Sequence, residues 1–255
     1  MTLESDTAEP PKFRVGAALG RSFTTLFRNI VPFGLLAIAF NLPMQLVAFQ
    51  FTETDIAAGD VNWPLFVVVI LGNVVLGFLL SATLVYGTVQ ELRGGRAGIF
   101  ECMSRGFGLL FPVLGVGIVV SLIVMFFSLL LIIPGMIAFV MLWVAIPVAV
   151  VERPGLKATL SRSLELTKGY RWHLFGLILI LAILSWIVGA LFGGAVGFGA
   201  YFAVGELSFA WTVVINVIVQ AFTGALLAVA SAVAYHDLRI AKEGASVEQI
   251  AAVFD

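Results

Sequence analysis

The sequence predicts an all-α, polytopic membrane protein with six transmembrane helices, built from three repeats of an interfacial amphipathic helix followed by a transmembrane hairpin. The 255-residue chain is 61% hydrophobic and only 11% charged, whereas soluble domains are about half apolar and about a quarter charged. Several apolar runs reach about 20 residues, the length that crosses the roughly 30 Å hydrocarbon core. All basic residues lie before the first apolar run, after the last, or in alternate connections between the runs.

The chain divides into a polar start, one membrane domain and a polar end. Residues 1–11 end in two prolines, and we expect a disordered tail there. Residues 12–236 form a single six-span domain, and 237–255 form a cytoplasmic tail with a short helix that starts near Ser246. The acidic start is unlike a signal peptide, so we expect the first span to be retained. The single cysteine, Cys102, excludes an intrachain disulfide.

The first unit begins with a helical pattern from residue 12. Its apolar residues recur every three or four positions and predict one buried stripe. The stripe is Val15, Leu19, Phe23, Leu26 and Ile30. Arg14, Arg21 and Arg28 lie on another face, as in helices at a membrane interface. Span one then covers about 30–51, an acidic loop covers 52–62, and span two covers about 63–90.

The second unit repeats this order. Its shorter amphipathic helix carries Arg105 away from the apolar stripe. The predicted stripe is Ile99, Met103, Phe107 and Leu110. Span three covers about 109–133, and Pro134–Gly135 predicts a tight hairpin turn into span four, about 136–151. Pro147 should bend that short span.

The third unit has the clearest interfacial helix, within the stretch 154–176 that leads into the next apolar run. Pro154 suits its start and Gly169 its end. Its predicted buried stripe is Leu156, Leu160, Leu164 and Thr167. Tyr170 and Trp172 are residue types that settle at headgroup level. Span five covers about 172–202 and span six about 207–235.

Charge predicts the orientation of these spans. All 14 Lys and Arg residues lie before span one, after span six, or in the connections between spans two and three and spans four and five. The two opposite connections contain only acidic charges: Glu53, Asp55, Asp60 and Glu206. Because basic segments stay cytoplasmic, we expect both termini to be cytoplasmic, in the cell inner membrane.

The interfacial helices indicate an internal repeat covering 11–90, 96–151 and 154–236. The tripeptide RSF at 21–23 aligns with RSL at 162–164, and Arg105 holds a similar place in the middle copy. A true repeat predicts pseudo-threefold packing and a basic cytoplasmic collar. The alternative is that every cytoplasmic connection collects arginine and every interfacial helix is amphipathic.

Span five contains a pattern of small residues. Gly189, Gly193 and Gly197 are four residues apart, which lets another helix approach closely and favours a helix-packing face. The partner is either within the chain or another subunit. The alternative is that glycine is simply common in membrane spans.

Five amides lie at membrane depth: Asn41, Gln45, Asn73, Asn216 and Gln220. Unpaired amides in hydrocarbon cost several kcal/mol, so hydrogen bonds between helices are expected. The alternative is a polar path for a solute. No ionisable side chain lies in the middle of a span, which argues against a proton-driven transporter.

The basic collar carries the main functional prediction. Its cations are expected to bind anionic lipid headgroups, each contributing about 1 kcal/mol, with Trp172 setting the depth. The candidates are Arg14, Arg21, Arg28, Arg162, Lys168, Arg171 and Trp172. The alternative is that these charges only set topology. Net charge −1 indicates no nucleic-acid partner, and two scattered histidines with one cysteine give no metal-ligand spacing. We expect no cofactor.

Several segments resemble a known family. The segments ERPG at 152–155, RSLELTKGYRW at 162–172 and FG at 175–176, with YHDLR at 235–239 and KEG at 242–244, are similar to the glycerophosphoryl diester phosphodiesterase membrane-domain family. In that family the membrane domain stands alone or precedes a soluble phosphodiesterase domain. We expect that catalytic domain to be absent, because nothing after residue 236 is long enough. The resemblance therefore implies an integral membrane protein without established catalytic residues.

Three functions follow as hypotheses. The first is a non-enzymatic inner-membrane protein that engages anionic lipids, a membrane-protein partner or a second copy of itself through the collar. The second is a transporter or channel for a small amphiphilic solute, lined by Asn73, Asn216 and Gln220. An intramembrane enzyme is the least favoured, because no pairing of base and nucleophile appears in the sequence.

Overall fold

The computed structural model describes residues 13–48, 62–95, 98–202 and 207–244, with the backbone alone given for 195–202 and 207–213. Its helices are α1 (Val15–Arg28), α2 (Ile30–Ala48), α3 (Trp63–Leu92), α4 (Ile99–Gly108), α5 (Leu110–Leu130), α6 (Ile132–Leu142), α7 (Ala145–Val151), α8 (Leu156–Thr167), α9 (Arg171–Phe202) and α10 (Leu207–Arg239), followed by a π-helical turn, Ile240–Gly244. No strand occurs in these residues. With α6 and α7 taken together, six segments are long and apolar enough to cross a membrane. The protein is an all-α, multi-pass membrane protein.

Three predictions fall largely outside the described ranges. They are the disordered tail at 1–11, the acidic loop at 52–62 and the terminal helix after residue 245. They remain predictions.

The spans pack as a ring of three hairpins. The hairpins are α2 with α3, α5 with α6, and α9 with α10. The second span of each hairpin contacts the first span of the next: α3 contacts α5, α6 contacts α9, and α10 contacts α2. The second spans also contact one another. Helices α3, α7 (the second half of span four) and α10 each touch the other two. This cyclic set of contacts is the pseudo-threefold packing that the repeat predicts.

The interfacial helices follow the same cyclic rule. Each one packs on both spans of the preceding unit: α1 on α9 and α10, α4 on α2 and α3, and α8 on α5 and α6–α7. The three units are therefore interlocked, because the helix that begins one unit holds the hairpin of another.

Small residues allow the inner spans to approach closely. Ala82 and Val85 of α3, Ala145 and Ala149 of α7, and Ala232 of α10 form one buried cluster. Without long side chains, helix backbones gain extensive van der Waals contact, the main attraction between helices in lipid. The span within α10 has 61% of its apolar window buried, against 17% in α9. Thus α10 is central and α9 is peripheral.

The hairpin between spans three and four turns earlier than predicted. Leu131 is extended and separates α5 from α6, whereas Pro134 and Gly135 lie inside the first turn of α6. A proline is tolerated there because the first N–H groups of a helix have no partner within the helix. Gly135 serves packing instead, since a Cβ at this position would lie 2.7 Å from the Cα of Ser128. The two arms of the hairpin touch at this point.

The helix of span four is interrupted close to Pro147, where a bend is expected. Residues 143–144 form a turn between α6 and α7. Proline has no N–H to donate to the carbonyl four residues earlier, which is that of Trp143, and its ring collides with that carbonyl. The backbone departs from α-helical angles at the next residue, Val144, with φ −93° and ψ 8°.

The buried faces of the interfacial helices overlap the predicted stripes but are centred beside them. Leu26 and Thr167 are buried, and Ile30, Phe107 and Leu156 are exposed; the other stripe residues of α1 and α4 are partly buried and pack on the core, namely Val15, Leu19, Phe23, Ile99, Met103 and Leu110. The most deeply buried residues are mostly small: Ala18, Ser22 and Thr25 in α1, Cys102 and Gly106 in α4, and Thr159, Ser163 and Leu166 in α8. In lipid, large apolar side chains need not face protein, and small ones permit close docking.

These buried positions also support the repeat. The residues at 18, 22 and 25, at 102, 106 and 109, and at 159, 163 and 166 are all buried, with identical spacing. The middle position of each buried set directly follows one of the arginines aligned in the repeat. These central residues are Ser22, Gly106 and Ser163, and each lies where its interfacial helix packs on the spans.

Candidate functional site

The charged residues of the described chain gather at the end of the bundle where α1, α4 and α8 lie, which we call the basic face. Each second span reaches this face with a carboxylate: Glu91 in the last turn of α3, Glu152 directly after α7, and Asp237 near the end of α10. These acids were not among the functional residues predicted from the sequence. The sequence contains a pattern that could have identified two of them. An acidic residue, a leucine and an arginine follow one another at the ends of spans two and six, as ELR at 91–93 and DLR at 237–239.

Arg162 is the centre of the largest network on the basic face. Its Nε donates to Glu152 Oε2 at 3.2 Å, and its Nη2 donates to Glu243. Tyr235 donates its hydroxyl hydrogen to Glu152 Oε1 at 2.8 Å. The network joins two distant regions of the sequence, 152–162 and 235–243. It therefore connects the end of α7 and helix α8 to α10 and the terminal turn.

The electrostatics of Arg162 favour its charged form. Partial burial on its own would lower the pKa of Arg162, but Glu152 and Glu243 raise the pKa above its ordinary value. Arg162 is also 3.5 Å from Glu165 on its own helix. With three carboxylates around it, this guanidinium is neutralised within the protein.

The terminal turn contacts α8 at two points. Glu243 accepts from Arg162, and Lys242 donates to the backbone carbonyl of Glu165. Arg239 Nε lies 2.6 Å from Glu243 Oε2 and holds that carboxylate from its own side. Together with Arg162, these contacts attach the end of span six to the interfacial helix of the same unit.

Two arginines of α1 pair with other span ends. Arg21 Nη1 is 2.8 Å from Asp237 Oδ1, and Arg28 Nε is 3.0 Å from Glu91 Oε1. Both carboxylates are at least nine-tenths buried, while both arginines remain largely exposed. Arg21 balances the charge of Asp237 without hydrogen-bond alignment, and neither Asp237 oxygen accepts a hydrogen bond from the described residues.

The structure therefore divides the predicted headgroup cations into two groups. Arg21, Arg28 and Arg162 are ion-paired. Arg14, Lys168 and Arg171 are exposed, and none of them forms a salt bridge within the described ranges. We call these three residues the basic patch.

Aromatic contacts hold the basic patch together. Phe13 is buried, and its ring centroid is 6.0 Å from that of Tyr170. This contact brings Arg14, at the start of α1, to the α8–α9 turn that carries Lys168 and Arg171. Trp172 is 83% exposed, which leaves its indole available to the surroundings beside these charges.

Two of the intramembrane amides bond within their own helix rather than to a neighbouring helix. Asn73 donates to Val69 O at 2.8 Å, and Asn41 donates to Ala37 O at 2.7 Å, both within their own helix. That prediction is wrong for these two residues. A side-chain amide that bonds the carbonyl one turn earlier needs no neighbouring helix.

One residue of the predicted polar path lines a crevice. Gln220 lines a crevice of about 310 Å³ together with Asn41 and Ser81, while Asn73 and Asn216 are not among the residues lining that crevice. The polar path stays a prediction. Asn216 lies on an exposed part of α10. At the basic-face half of the bundle, the alanine and valine cluster fills the space between α3, α7 and α10.

The glycines of α9 do not contact another helix of the described chain. At Gly189 and Gly193, an added Cβ would meet nothing within 4 Å. Gly197 belongs to the part of α9 given as backbone alone. An internal packing partner for the pattern is therefore absent at the two positions that the structure describes.

No family model matches the chain, and neither a curated protein nor a solved structure matches it.

Proposed function

We propose that the protein is a non-enzymatic, multi-pass protein of the cell inner membrane that binds anionic phospholipid headgroups through the basic patch, with both termini cytoplasmic. The observation that carries this proposal is the contrast on the basic face between ion-paired and unpaired cations. Arg14, Lys168 and Arg171 have no carboxylate partner in the described part of the chain. Phosphate oxygens are suitable partners for such exposed cations.

The position of Trp172 supports the same proposal. Tryptophan prefers the headgroup level of a bilayer, because its ring is apolar while its N–H can donate a hydrogen bond. Here the exposed indole lies next to Arg171 and one turn before the long apolar run of α9. This arrangement would put the basic patch at the level of the lipid phosphates when α9 spans the membrane.

The ion-paired arginines take a different part in this proposal. Arg21, Arg28 and Arg162 hold the interfacial helices on the span ends, so they organise the basic face and leave headgroup binding to the patch. The resemblance to the glycerophosphoryl diester phosphodiesterase membrane-domain family is part of the same proposal. It predicts that the purified chain releases no glycerol phosphate from a glycerophosphodiester.

Native mass spectrometry with defined lipids tests headgroup binding. The Arg14→Ala/Lys168→Ala/Arg171→Ala variant is compared with wild type for retention of phosphatidylglycerol and phosphatidylcholine. At about 1 kcal/mol per cation, we expect phosphatidylglycerol retention to fall at least about tenfold, with phosphatidylcholine unchanged.

A matched control removes three exposed cations of the same face outside the patch. The control variant is Arg105→Ala/Arg153→Ala/Lys157→Ala, and we expect it to lose much less phosphatidylglycerol. Equal losses in the two triple variants, or no loss in the patch variant, would contradict the proposal.

A further inference from the structure

An apolar groove begins directly beside the basic patch. One wall is the face of α6 formed by Ile133, Met136, Ile137 and Val140. The other wall is the first turn of α9, with Arg171, Trp172 and Phe175. The groove encloses about 350 Å³, which is within the range of small-molecule sites.

The α6 wall has the shape of a continuous apolar strip. Its residues are three or four positions apart, so they lie on one face of the helix and extend for roughly 10 Å at 1.5 Å per residue. Ile133 is 71% exposed and Ile137 is 51% exposed. Ile133, Met136 and Ile137 are therefore not covered by another part of the described chain, whereas Val140, at the inner end of the strip, is buried.

The groove has one charged end. Arg171 lines it directly, and Lys168 is exposed three residues earlier, at the turn into α9. No other lining residue is charged. A ligand that matches this arrangement has one anionic group and an apolar portion long enough to follow α6.

We propose that the groove binds one acyl chain of an anionic phospholipid whose phosphate is held by Arg171 and Lys168. This inference rests on the proposed headgroup binding and adds to it a defined, one-to-one lipid site. Arg171 supplies the charge complementarity, since its guanidinium can donate two hydrogen bonds to one phosphate. The apolar wall continues from that point, and Trp172, with its ring 6.1 Å from Phe175, flanks the entrance.

The test fills the groove without changing charge. Ile137→Trp places a large ring in the strip, and Ile118→Trp serves as the control, because Ile118 is similarly exposed on α5 and does not line the groove. Native mass spectrometry then measures the retention of dioleoyl phosphatidylglycerol. We expect the one-lipid complex to fall about tenfold in Ile137→Trp, since several buried methylenes are lost, and to be unchanged in Ile118→Trp.

A second variant guards against misfolding. Ile133→Trp changes the more exposed end of the same strip, and we expect it to weaken retention with an unchanged melting temperature. If both groove variants bind lipid as wild type does, while the basic-patch variant does not, the groove proposal is overturned and headgroup binding stands. If the basic-patch variant binds as wild type does, headgroup binding itself fails.

One further outcome identifies a different occupant. If wild type is a dimer that Ile137→Trp converts to a monomer, and lipid retention is unaffected, then a second copy of the chain covers the groove. That result would also overturn the proposal.

Discussion

The middle interfacial helix, α4, and its counterparts α1 and α8 reach the same packed position by different chemistry. The centre of the contact is a serine in α1 and α8 but a glycine, Gly106, in α4. A Cβ on Gly106 would lie 2.1 Å from Thr83 Oγ1, so α4 approaches its span closely. Ser163 instead donates to Met141 O at 2.9 Å.

The ion pairs differ in the same way. Arg21 pairs with Asp237 and Arg162 with Glu152, each joining an interfacial helix to the span end of the preceding unit. The equivalent arginine of α4, Arg105, has no such pair among the described residues, because Glu91 pairs with Arg28 of α1. This difference teaches that close packing of a small residue is common to all three docked helices, whereas the ion pair is an addition in two of them.

The largest effect is expected at Gly106, where the middle helix approaches α3 most closely. Gly106→Val forces a branched side chain onto Thr83, whose Cα would also lie only 3.3 Å from the new Cβ. We expect a loss of about 3 kcal/mol in the free energy of unfolding, as in overpacked cores. Thermal unfolding followed by circular dichroism measures it. Gly108→Val is the control, since a Cβ there meets nothing within 4 Å.

The next effect is expected at the ion-pair network. Arg162→Ala leaves Glu152 and Glu243 without their shared cation, and we expect a cost of about 2 kcal/mol, toward the lower end for hydrogen-bonded charge pairs because Arg162 remains partly exposed. The same unfolding measurement applies, with Lys157→Ala as the control on the exposed side of α8. A melting temperature equal to that of the control would show that the network does not hold α8 in place.

A smaller effect separates the two serines. Ser163→Ala removes a hydrogen bond between helices, and we expect about 1 kcal/mol, since Thr167 Oγ1 still lies 3.3 Å from Met141 O. Ser22 donates to Ala18 O within its own helix at 2.7 Å. Ser22→Ala should therefore cost less than Ser163→Ala. The reverse order in paired unfolding experiments would contradict this assignment.

The smallest effect is expected at the unpaired arginine. Arg105→Ala should change the free energy of unfolding by less than about 0.5 kcal/mol, as is usual for exposed residues. Arg21→Ala, its counterpart in α1, removes the guanidinium from the buried Asp237 and leaves only His236, whose Nδ1 lies 3.6 Å from Oδ1, so it should cost about 1 kcal/mol or more. Equal values for the two variants would remove the distinction between α1 and α4.

Much of the architecture could be predicted from local patterns. Apolar runs located all six spans to within a few residues, and the RSF and RSL tripeptides indicated the repeat before any contact was known. The partners of the arginines could not be predicted. Arg162 lies 81 positions before Glu243, and no local pattern relates residues so far apart.

The amino-acid sequence by itself determined the number of spans, the threefold order of units and the positions of the cations, because hydrophobicity and charge act residue by residue against lipid and water. Only the tertiary structure decided which face of each interfacial helix is buried, where the hairpin turns and which cations are neutralised. The physical reason is that lipid accepts an apolar side chain as readily as a protein core does. An apolar stripe therefore indicates only roughly which side of the helix touches protein. In the fold, the small residues mark the centre of the contact, and carboxylates that are distant in the sequence pair with the arginines.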